Sequence, residues 1–142
     1  MDYDFEKLGK EIVMSRFKDL EDPYTLAGEA ARKIAVAAVG ATKGVQEPRV
    51  SVAGVCRGVS AGMLLLEKDL PRTALALLSQ MAAVGQETGL DPADCMSWAM
   101  EGIAPIAKLA PGGAADAVRS AIDEAYMGAG EVFENFVRTA GA

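Results

Sequence analysis

The sequence predicts an all-α protein of about six short helices, on three observations: prolines behind acidic residues, glycines closing apolar stretches, and apolar side chains recurring at helical spacing. Proline suits the first position of a helix because the N–H it lacks would have no partner there. An acidic residue just before it can cap the helix or complement the N-terminal dipole. Asp22-Pro23, Glu47-Pro48 and Asp91-Pro92 have this form, and Pro71 and Pro111 add two further punctuation points. Gly44, Gly89 and Gly112-Gly113 supply the stops. The helices expected are roughly 4–19, 23–43, 48–68, 71–87, 92–109 and 114–139, arranged as αα-hairpins in a compact bundle.

In the first segment Phe5, Leu8, Ile12 and Leu20 fall near one helical face, and Glu6, Lys10, Glu11 and Lys18 lie mostly away from it. Residues 1–22 therefore read as an amphipathic N-terminal helix or arm. It precedes a single helical-bundle domain over 23–142. The helix opened at Pro48 carries Gly54, Gly58 and Gly62 at four-residue spacing, a stripe of small residues on one face. A tight crossing with neighbouring helices of the same chain is the expected use; a groove for a partner helix or an extended ligand is the alternative. Pro105 stands among residues that look helical on both sides, so a kink or a stop and restart is expected there. In the last segment Ala114, Ala117, Val118, Ala121 and Ile122 set a helical pattern that Val132, Phe133, Phe136 and Val137 resume. Gly128 and Gly130 should weaken or bend it between.

The chain also resembles itself. An offset of 45 aligns Ala37-Ala38-Val39-Gly40 with Ala82-Ala83-Val84-Gly85 and Gly44-Val45 with Gly89-Leu90. After one deletion, Glu47-Pro48 aligns with Asp91-Pro92 and Gly58-Val59 with Gly102-Ile103. This is an αα-hairpin used twice, over 23–68 and 71–109, either by duplication or by shared helix start and stop signals. Packing about a pseudo-twofold axis would bring the matched residues Arg57 and Glu101 together as an inter-repeat ion pair.

Composition narrows the chemistry. Aromatic residues are 6% and alanine and glycine abound, so the core must be built from small aliphatic pieces. A net charge of −6 opposes electrostatic attraction to nucleic acid or anionic lipid. The most apolar stretch, 50–66, is short for a membrane span and contains Arg57. The acidic N-terminus lacks the apolar run of a signal peptide, which gives a cytoplasmic expectation. Cys56 and Cys95 lie in apolar helical stretches, where buried, reduced thiols are the usual case.

Histidine is absent, which removes the commonest general base and the commonest transition-metal ligand. Gly40-Ala41-Thr42-Lys43-Gly44 lacks the order of a phosphate-binding loop, and Asp123, Glu124, Glu131 and Glu134 read as a solvated acidic face. No catalytic residue, cofactor or metal is therefore expected. The expected role is that of a non-enzymatic protein acting through protein contacts, including homo-oligomeric association. The alternative is a binder of a small apolar ligand, in a cavity between hairpins lined by Met96, Trp98 and Met100.

Overall fold

The computed structural model describes residues 4–140, so residues 1–3 of the expected arm and residues 141–142 of the expected domain lie outside the described residues. Among the described residues there are eight α-helices and no strand: α1 (Phe5–Arg16), α2 (Tyr24–Ala41), α3 (Pro48–Leu65), α4 (Leu70–Leu78), α5 (Met81–Thr88), α6 (Pro92–Leu109), α7 (Ala114–Ala125) and α8 (Ala129–Thr139). The fold is all-α, and the helix count exceeds six because two of the expected segments are each divided.

The start signals act as their chemistry dictates. Pro48 and Pro92 occupy the first turns of α3 and α6, and Asp91 Oδ1 accepts a hydrogen bond from the Ala93 amide at 2.8 Å. Asp22 Oδ1 accepts from the Tyr24 amide at 3.1 Å, and Asp69 Oδ1 from the Arg72 amide at 2.9 Å. Gly44 and Gly89 take positive φ of 80° and 76° after α2 and α5, where a side chain would be strained.

Several boundaries differ from expectation, among them the stop of α1 at Arg16 rather than 19. The segment over 71–87 breaks at Ser79-Gln80, a two-residue step in right-handed backbone with neither glycine nor proline to announce it. Gln80 Oε1 there accepts a hydrogen bond from Arg32 Nε of α2 at 3.0 Å, tying the break to the neighbouring hairpin. The third helix stops at Leu65 rather than 68, because Glu67 adopts a left-handed φ of 59° and the Lys68 amide turns back to the Met63 carbonyl at 2.9 Å. The last segment divides at Tyr126–Gly128, where Gly128, one of the two glycines expected to weaken it, takes a left-handed φ of 89°. Pro105, by contrast, lies inside an unbroken α6: its missing N–H leaves one carbonyl without its helical donor, but the helix neither stops nor restarts.

The central helix is α3, which packs on α1, α2, α4 and α6 and buries Val52, Val55, Cys56, Val59 and Met63 completely. Phe133 and Ile122, both fully buried, anchor α8 and α7.

Candidate functional site

The small-residue stripe of α3 is occupied from within the chain. A Cβ on Gly58 would fall inside the carbonyl of Glu6, and one on Gly62 would lie 2.8 Å from Val13 Cβ, so α1 sits directly on this face. Gly54 behaves differently: its nearest foreign atom would be 4.0 Å away, and it lines a surface hollow instead. The segment marked off as an arm is thus seated on α3 of its own chain.

Gly102, the residue aligned with Gly58, receives the backbone of Ala53 in the same manner. These two seats each take a helix from earlier in the chain, α1 on α3 and α3 on α6. This arrangement decides the fate of the two matched charges. Arg57 Nε donates to Glu6 Oε1 on α1, and Glu101 accepts from Arg49 of α3, with Nε at 2.8 Å and Nη2 at 2.9 Å. The hydrogen bond to Glu101 raises the pKa of Arg49 above its ordinary value. Arg57 and Glu101 line one hollow of about 180 Å³, but each is paired elsewhere, so the inter-repeat pair expected from a twofold does not form. The reason is geometric: a charge next to a glycine seat reaches the helix occupying that seat.

The expected apolar pocket of Met96, Trp98 and Met100 does not assemble either. Successive helical residues are turned by about 100°, so Met96 and Met100 share a face while Trp98 points away from both. Met100 is buried in the core, and Met96 and Trp98 are half-buried against it. They fill gaps between helices.

A surface that sequence reasoning overlooked lies between α1 and α2. Because the glycine seat fixes α1 against α3, it touches α2 only lightly, and a groove of about 240 Å³ opens between them. Its floor is Ile12, Phe17, Leu26, Ala30 and Ile34; Arg16, Lys33 and Glu29 form the rim. On α2 the usual order of burial is inverted. Ala27, Ala31, Ala35 and Ala38 are fully buried, whereas Leu26 is 43% exposed and Ile34 is only half-buried. The available signal was a second apolar row at positions 26, 30 and 34 beside the alanine row, with Lys33 next to it. Leu8 and Met14 of α1 add exposed apolar surface near by in sequence, with Lys7 and Lys10. Arg16 and Lys33 form no ion pair among the described residues, so this is a locally basic face on an acidic chain.

Neither thiol is poised for chemistry. Burial pushes Cys56 up to about 12, and burial with Asp94 and Asp91 near by raises Cys95, so both are held as neutral thiols. Among the described residues no group of three or more carboxylates and thiols is placed to hold a metal ion, and no helix is long and apolar enough to cross a membrane.

No family model matches the chain, and neither a curated protein nor a solved structure matches it.

Proposed function

We propose that this chain is a non-enzymatic helical protein that works through protein contacts and associates with itself, using the α1–α2 face. The observation that carries this reading is the inversion on α2. A helix serving only its own core would turn its larger apolar residues inward, yet α2 buries alanines and leaves Leu26 and Ile34 at a groove open to solvent. Apolar surface left in water at a fixed place costs hydration free energy that a partner's side chains recover. The unpaired cations at the rim add orientation and selectivity to such a contact.

A small apolar ligand is the competing reading. The groove, about 240 Å³ and open along its length, falls below the 300–1,000 Å³ or so of sites that enclose drug-sized molecules, and it lies beside α1, not between the hairpins. It fits one or two inserted side chains better. Light scattering coupled to size-exclusion chromatography tests the proposal: the mass should rise with concentration through the micromolar range. A mass fixed at that of one chain refutes self-association, and a thermal shift with apolar acids then selects the ligand reading.

A further inference from the structure

We infer that the occupant of the α1–α2 groove is the α7–α8 turn of a second copy of this chain, with Met127 as the inserted side chain. The inference rests on the self-association proposed above and specifies its geometry.

Met127 is 97% exposed, more than any other large apolar residue among those described. The turn that carries it is not loose. Asp123 Oδ1 accepts hydrogen bonds from the Gly128 amide at 3.1 Å and the Gly130 amide at 3.2 Å. The Tyr126 amide donates to the Ile122 carbonyl at 2.7 Å, and the Ala129 amide to the Tyr126 carbonyl at 2.9 Å. Gly128, at φ 89°, supplies the left-handed step that closes the turn. A large apolar side chain is therefore displayed in water on a fixed support, so little ordering entropy remains to be lost when it binds.

Charge selects the partner surface. Glu124 and Glu131, three residues before and four after Met127, are exposed and make no ion pair among the described residues. The groove offers the complement, two cations, Arg16 and Lys33, against one carboxylate, Glu29, around an apolar floor. Its volume matches a side chain, and methionine, unbranched and polarizable, adapts to such a slot. Groove and turn lie on separate elements, since α1 and α2 do not pack substantially on α7 or α8. Each copy consequently carries both halves of the contact free for another copy.

Sedimentation velocity on the full chain and two variants tests this. Met127→Asp, and Arg16→Glu combined with Lys33→Glu, alter exposed residues and should leave thermal melting followed by circular dichroism unchanged. Each should weaken self-association by about tenfold or more, the equivalent of about 1.4 kcal/mol. Mixing the two variants should restore a two-chain species, because one intact turn then meets one intact groove. If Met127→Asp associates as the parent does, the inference fails while self-association stands through another surface. If the mixture shows no two-chain species, the pairing of turn with groove is wrong. If the parent itself is monomeric, both the inference and the reading beneath it fall.

Discussion

The two sides of α1 show how one helix can be fixed tightly on one flank and left open on the other. Toward α3 it meets Gly58 and Gly62, and backbones approach so closely that a single added methyl would have no room. Toward α2 it leaves a groove floored by Ile12, Leu26 and Ile34. The first contact sets the position of α1, and the second is what remains once that position is set. Small residues in this chain fix geometry, and larger ones on α2 are left at the groove.

The largest expected effect breaks the tight side. Gly58→Ala and Gly102→Ala each place a Cβ against a backbone carbonyl that cannot move without its helix. A loss of about 3 kcal/mol is expected from each, even after the roughly 1 kcal/mol that alanine gains over glycine in a helix. Gly54→Ala, on the same stripe but facing a hollow, should stabilise by about 0.5–1 kcal/mol. Urea unfolding of the three variants checks this; equal losses at Gly54 and Gly58 would show that α1 does not sit where described.

The core behind the tight side should reveal itself at alkaline pH. Cys56 titrates near 9 when unfolded and at about 12 when folded, because burial disfavours the thiolate. The folded state therefore holds the proton more tightly. The stability this represents is complete below about pH 9 and is lost as pH rises toward 12, with a slope of up to about 1.4 kcal/mol per pH unit. Chemical denaturation from pH 8 to 11 should show the decline, and Cys56→Ala, though less stable throughout, should show a shallower one.

On the open side, Ala30→Leu fills the groove floor without touching the glycine seats. It should change stability by under about 0.5 kcal/mol while weakening self-association, and chromatography with light scattering reads the second effect. A large loss of stability there would mean that α1 and α2 are packed together after all.

What the sequence made legible was what short-range chemistry decides. Helix starts at Pro48 and Pro92 and stops at Gly44 and Gly89 depend on residues within a few positions of one another, and the structure keeps them. The break at Ser79-Gln80 was hidden because its partner, Arg32, lies far away along the chain. Gly58 and Gly62 announced a close crossing, but nothing local named α1 as the helix that would fill it. Met96, Trp98 and Met100 were misgrouped by counting sequence proximity as proximity in space. The α1–α2 groove arises only after α1 is seated elsewhere, and Met127 gains its meaning from the turn that displays it, so neither was accessible from spacing alone.

The smallest effects concern the ion pairs that accompany the glycine seats, and they discriminate stacking from a twofold. Arg57 and Glu6 are both partly exposed, so a double-mutant cycle with alanine should give a coupling of only about 0.2–1 kcal/mol, falling as salt is added. A cycle between Arg57 and Glu101 should give none beyond the roughly 0.3 kcal/mol seen for independent sites, since each residue answers to the helix in its own neighbour's seat. Both cycles must be read by equilibrium unfolding at low ionic strength, where such pairs are strongest. If Arg57 couples to Glu101 more strongly than to Glu6, the two hairpins face one another across an axis, and the succession of α1 on α3 and α3 on α6 gives way to that arrangement.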